Sequence, residues 1–179
     1  LNIGWAMHHI GKKDISLWDE TDKFYYDAIQ FENGTSQRLR IRSLVGIIPL
    51  LAVEIIHGNQ FKNLRKFNTR LEVIRLTRPD LTRIISDIDK KNQDGNYLFA
   101  IMIDDRLESL LKRLLDEAEF LSDYGIRSLS KSHKEHPYTF GYMGSHYSIQ
   151  YEPGESSSSM FGGNSNWRGP IWMPLNYLI

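Results

Sequence analysis

The sequence predicts a mostly helical chain whose helices pack as antiparallel pairs, with two short β-hairpins between them. Three observations predict this. Residues 104–121, DDRLESLLKRLLDEAEFL, put Leu107, Leu110, Leu111, Leu114 and Leu115 on one helical face and charges at i, i+4 spacing on the other. Residues 61–79 repeat the pattern, with Phe61, Leu64, Phe67 and Leu71 opposite a basic face and Pro79 closing the helix. The tetrapeptide IRSL stands at 41–44 and again at 126–129, a sign of repeated helix-pair units.

The other elements follow in chain order. LNIGWAMHHI reads as the last turns of a helix ended by Gly11, with Lys12 and Lys13 suited to its negative end. His8 and His9 are adjacent and point to different faces, which does not suit a shared metal on a helix. Residues 17–29, LWDETDKFYYDAI, set aromatic against polar residues around Asp22-Lys23 and predict the first hairpin. Their acids lack the glycine and distal glutamate of a calcium loop and read as turn acids, while Trp18 beside Asp19 reads as a pocket wall. The apolar run 43–56 predicts a buried helix starting near Ser43 and kinked at Pro49. Arg40 and Arg42 before it suit either ligand hydroxyls or structural ion pairs. Residues 80–103 are weakly patterned. Residues 139–151 turn around Met143-Gly144-Ser145 and predict the second hairpin.

Composition narrows the partners. Lys+Arg and Asp+Glu stand at 22 each, a balance that argues against a nucleic-acid groove or an anionic membrane face. Zero cysteines exclude a disulfide framework and a thiolate metal site, and fit a reducing, cytoplasmic setting. The sequence has no apolar run of membrane-spanning length. No metal and no cofactor are expected. An apolar content of 41% in 179 residues supports a sizeable core. The chain opens without a cap and stops at LNYLI, so residues 1–179 read as one incomplete domain, a fragment open at both ends.

The stretch FGGNSNWRGPIW, residues 161–172, reads as a site. Gly162, Gly163 and Gly169 permit backbone shapes closed to other residues, and Pro170 can start the helix suggested by PIWMPLNYLI. Into this loop are set Trp167 and Trp172, flat apolar faces with a polar N–H, and Asn164, Asn166 and Arg168, with many donors and little charge. A polyhydroxylated ligand needs that mixture. The same composition also suits a glycine-rich turn before a buried helix. Glu152 and Glu155 lie close by in sequence, and either could hydrogen-bond a ligand or hold Arg168.

Taken in order, LWDETDKFYYD, RIRSLVGIIPLLAVE, FLSDYGIRSLSKSHKEHPY, YEPGES and FGGNSNWRGPIWMPLNYL resemble glycoside hydrolase family 63, in particular its mannosylglycerate-hydrolase-like and mannosyl-oligosaccharide-glucosidase-like members. The resemblance implies an all-α fold, part of an (α/α)6 toroid with short β-hairpins between helices. It also implies an inverting α-glycosidase, in which one Asp is general acid and one Glu general base through a water. The positions matching that acid and base fall outside residues 1–179, so no residue here is assigned as catalytic and the fragment alone is expected to be inactive. The substrate-binding residues implied are Trp18, Asp19, Glu155, Asn164, Asn166, Trp167, Arg168 and Trp172. The expected partners are a carbohydrate substrate and the remainder of the same polypeptide, with no nucleic acid and no membrane. Two other classes compete: a non-catalytic carbohydrate-binding module, which explains the loop, and a helical-repeat scaffold, which explains the amphipathic helices.

Overall fold

Tight turns between short runs of β-branched and aromatic residues organise most of this chain. The computed structural model describes residues 2–10, 15–82, 90–102, 104–154 and 170–179. Among them the order is α1 (Asn2–Ala6), β1 (Trp18–Asp19), β2 (Phe24–Tyr25), β3 (Asp27–Gln30), β4 (Ser36–Leu39), a 3-10 helix (Leu44–Leu51), β5 (Val53–Ile56), α2 (Gly58–Asn63) and α3 (Arg65–Thr77). Then come α4 (Pro79–Thr82), β6 (Tyr97–Ala100), α5 (Asp104–Leu114), β7 (Leu121–Ser122), β8 (Gly125–Ile126), a 3-10 turn (Lys131–Lys134), β9 (Tyr138–Tyr142), β10 (Ser145–Ile149) and α6 (Met173–Leu178). The strands pair as five two-stranded antiparallel sheets: β1–β2, β3–β4, β5–β6, β7–β8 and β9–β10.

The all-α class, and with it the (α/α)6 toroid, is corrected to a mixed α and β fold, 37% helix and 27% strand. The apolar run 43–56 shows why. Pro49 cannot donate an intrahelical hydrogen bond, and the segment around it winds as a 3-10 helix that ends at Leu51. Val53-Glu54-Ile55-Ile56, rich in β-branched residues, then pairs with Tyr97–Ala100, more than forty residues away. The predicted helix over 61–78 is broken at Leu64 into α2 and α3, and α5 stops at Leu114, short of residue 121. The last helix starts at Met173, three residues beyond Pro170.

Both predicted hairpins are present as β1–β2 and β9–β10. In the second, Met143 (φ 48°) and Gly144 (φ 78°) form the two-residue, left-handed connection that matches the twist of antiparallel strands. The IRSL copies do not mark helix pairs. They run antiparallel against each other: Ser43 faces Leu129, Leu44 N donates to Ser128 O at 2.8 Å, and Ser130 N donates to Arg42 O at 2.8 Å.

Two cores result. The larger packs Trp18, Phe24, Leu44, Ile47, Leu110 and Phe120, drawing on hairpin, 3-10 helix and α5. The smaller packs Leu39, Ile41, Leu129, Phe140 and Ile149 beneath β9–β10. Each such side chain contributes about 1.5–3 kcal/mol by leaving water. No described helix is long and apolar enough to cross a membrane.

Candidate functional site

The first sequence-derived site residues lie on β1. Trp18 is 1% exposed, packed against Tyr25 at 4.9 Å between ring centroids, with the Arg106 guanidinium 5.2 Å from its ring centroid. Asp19, also 1% exposed, folds its own turn and ties it to β4. Its Oδ1 accepts from Thr21 N (2.9 Å) and Asp22 N (3.0 Å), and its Oδ2 accepts from Arg38 Nη1 (2.7 Å) and Arg40 Nη2 (2.9 Å). Burial works against ionisation of this carboxyl. The Asp22 and Thr21 amides and the two guanidinium groups outweigh it and hold the pKa below the ordinary range.

Beside Asp19 runs a second ionic group. Arg42 Nη1 donates to Glu119 Oε1 at 3.0 Å, Arg113 donates to the same oxygen, and Ser130 Oγ donates to Glu119 Oε2 at 2.9 Å. Tyr26 Oη donates to Asp22 Oδ2 at 2.9 Å and accepts from Arg42 Nε at 3.3 Å; burial, helped by Asp22, pushes its pKa up to about 12. His133, 6% exposed, accepts from Arg42 N through Nε2 at 2.9 Å, and its Nδ1 donates to His136 O at 3.1 Å. Both ring nitrogens are thereby committed in the neutral form. Arg40 and Arg42 accordingly stand in structural ion pairs.

Trp172 is half-buried, packs against the larger core and precedes α6. Glu155, Asn164, Asn166, Trp167 and Arg168 lie outside the described residues. Pro153 and Pro170 line one cleft of about 360 Å³. Its other walls are the β7–β8 hairpin, with Asp123 and Tyr124, and Glu117, Arg127, Lys131 and Tyr151.

Local chemistry builds that cleft. Gly125 has φ 123°, a backbone that side-chain-bearing residues rarely adopt. Ser122 Oγ donates to Gly125 O at 2.6 Å and accepts from Tyr124 N at 3.3 Å, which leaves Tyr124 at the tip, 85% exposed. Arg127 Nη1 donates to the carbonyls of Glu117 (3.1 Å), Glu119 (3.3 Å) and Leu121, and its guanidinium sits 6.0 Å from the Tyr151 ring centroid. No carboxylate pairs with Arg127 among the described residues, which leaves Nε and Nη2 to donate elsewhere. Pro170–Ile171 is pinned to the second IRSL copy, where Ser128 N donates to Pro170 O at 2.7 Å and Arg127 bridges Ile171. The cleft therefore offers two aromatic rings, two acids and two cations, a set able to stack on a sugar face and bind paired hydroxyls. Sequence reading singled out none of Tyr124, Asp123, Arg127 and Tyr151 as site residues; the turn signal Asp123-Tyr124-Gly125 was the one local clue.

Among the described residues no three His, Asp or Glu side chains converge to hold a metal ion. Asp19 and Glu119 are buried carboxylates held in ion pairs with Arg38 and Arg40 and with Arg42 and Arg113.

No family model and no solved structure matches this chain. The uncharacterized protein YMR196W of Saccharomyces cerevisiae is 49% identical over 165 residues, 92% of this chain and 15% of that protein. A probable mannosyl-oligosaccharide glucosidase of Schizosaccharomyces pombe is 40% identical over 74 residues, 41% of this chain and 6% of that protein. The chain thus spans a small part of either relative, and part of it is similar to a glucosidase.

Proposed function

We propose that this chain is part of a family 63-type glycoside hydrolase that cleaves an α-linked glucosyl or mannosyl glycoside with inversion. The observation that carries the reading is the 40% identity over 74 residues to a probable mannosyl-oligosaccharide glucosidase. The cleft of Tyr124, Tyr151, Asp123, Glu117 and Arg127 is consistent with it, because rings, acids and a guanidinium with unspent donors suit a polyol. In this reading Asn164, Asn166, Trp167, Arg168 and Trp172 add sugar-binding groups and Glu155 accepts from a hydroxyl. Trp18 and Asp19 contribute by fixing the β1–β2 hairpin.

An inverting reaction needs a general acid and a general base about 6.5–9.5 Å apart, with a water between the base and the anomeric carbon. Both are contributed by polypeptide beyond these 179 residues, and this chain binds and orients. The test is to incubate the longer polypeptide carrying this chain with α-linked gluco- and manno-oligosaccharides and follow the first product by NMR. Release of the β-anomer is expected. Turnover by the 179-residue chain alone, or first release of the α-anomer, would contradict the assignment.

A further inference from the structure

A second concavity lies away from the sugar cleft, and its chemistry is different. Helix α3 and the β5–β6 sheet enclose a groove of about 520 Å³, inside the range of small-molecule sites. Its walls are Phe67, Leu71 and Ile74 from α3 and Phe99 and Ile101 from the sheet side, with Phe67 and Phe99 edge to face at 5.9 Å. Leu71 is 7% exposed and forms the floor; Phe67, at 39%, stands open at the mouth. Ala52 and Ala100 are the small residues of the lining.

Two charged residues reach this apolar groove, Arg70 and Glu54, and neither is ion-paired with a described residue. The α2–α3 stretch beside it is rich in cations. From Gly58 to Thr77 the cations Lys62, Arg65, Lys66, Arg70 and Arg75 meet one acid, Glu72, which Arg75 already holds at 3.0 Å. An apolar trough with one guanidinium not ion-paired among the described residues, on a cation-rich helix, is complementary to a molecule with an apolar body and one negative head.

We propose that this groove binds an amphipathic anion, its apolar body along Phe67, Leu71, Ile74 and Phe99 and its carboxylate at Arg70. The site is independent of the glycosidase reading. Glu54 opposes the same head group, so its removal should favour binding.

Calorimetry with dodecanoate and its uncharged counterpart dodecanol tests this on the 179-residue chain and on the longer polypeptide. Saturable one-to-one binding of dodecanoate is expected, at least tenfold tighter than dodecanol. Arg70→Gln should bring dodecanoate down to the level of dodecanol and leave dodecanol unchanged. Glu54→Gln should tighten dodecanoate several-fold. Ala52→Trp should exclude both, with the melting temperature recorded; Val53→Glu, at a surface position 52% exposed, is the second variant should Ala52→Trp unfold the protein. Equal affinity for acid and alcohol, non-saturating uptake, or binding that survives both groove variants would overturn the proposal. So would light scattering that shows a dimer in which neither probe binds, since a second copy would then fill the groove.

Discussion

Asp19 closes its own turn with one oxygen and holds two arginines with the other, so its loss takes the carboxylate from Arg38 and leaves Arg40 only the longer pair to Asp22 at 3.7 Å. Removing one member of a buried ion pair costs about 3–5 kcal/mol; with Arg40 half exposed, Asp19→Ala should cost nearer 3. Urea unfolding measures it, and a cost below about 1 kcal/mol would show that the hairpin does not depend on this carboxylate. His133 makes a prediction about pH. Burial, joined by the Arg42 charge, lowers its pKa, while the His136 carbonyl and Glu119 pull the other way. A depressed histidine is neutral in the fold, and the unfolded chain takes up its proton near pH 6.5. The contribution is therefore full above about pH 6.5 and is lost as pH falls below it. Stability should drop on acidification through this window, and His133→Gln, whose carbonyl can still accept from Arg42 N, should flatten the slope. An unchanged slope in that variant would assign the pH response to another group.

At the scale of elements, the 3-10 helix docks on the first hairpin through Gly46. A β-carbon there would lie 2.3 Å from Tyr25 O and 2.4 Å from the Phe24 ring. The backbone carbonyl cannot yield as a flexible side-chain end could, so Gly46→Ala should destabilise by about 3 kcal/mol or more through overpacking. A loss under about 1 kcal/mol in thermal unfolding would mean that the two elements are free to separate. The β9–β10 turn offers the opposite sign. Met143 is 84% exposed with φ 48°, a conformation that asparagine tolerates better. Met143→Asn should raise stability by about 0.5 kcal/mol, measurable as a shift in the urea midpoint. Such turns are why these two hairpins were legible in the sequence: the information sits within four residues. The β5–β6 pair was not legible, because Val53–Ile56 finds its partner at Tyr97–Ala100 and an apolar run that long also suits a buried helix.

For the molecule as a whole, the repeated IRSL reads as a pair of helical units, whereas the structure pairs the two copies with each other as extended, antiparallel segments. Serine and arginine at the same offsets serve strand pairing and the Glu119 network, which period counting cannot register. The apolar stripe of α5 packs into the larger core through Leu107, Leu110, Leu111 and Leu114, whereas Leu115 and, in the 61–79 stretch, Leu64 and Phe67 are exposed; α3 and α5 are separated by α4 and β6 and do not make a ring of helix pairs. Of the candidate site, most of the glycine-rich loop lies outside the described residues; Pro153 and Pro170 border the cleft that Tyr124 and Tyr151 line. The aromatics escaped notice because each is an isolated tyrosine in sequence, brought together only by the β7–β8 turn and the Arg127 contacts. The central claim is that this cleft contacts sugar, and Tyr124 tests it most directly, since a ring 85% exposed at a hairpin tip contributes little to folding. In the longer polypeptide, Tyr124→Ala should lower kcat/KM on an α-glucosyl or α-mannosyl oligosaccharide by about 10- to 100-fold, on the order of 1.4–2.7 kcal/mol of transition-state binding, with an unchanged melting temperature. An unchanged kcat/KM, or a loss that follows the melting temperature down, would contradict the account.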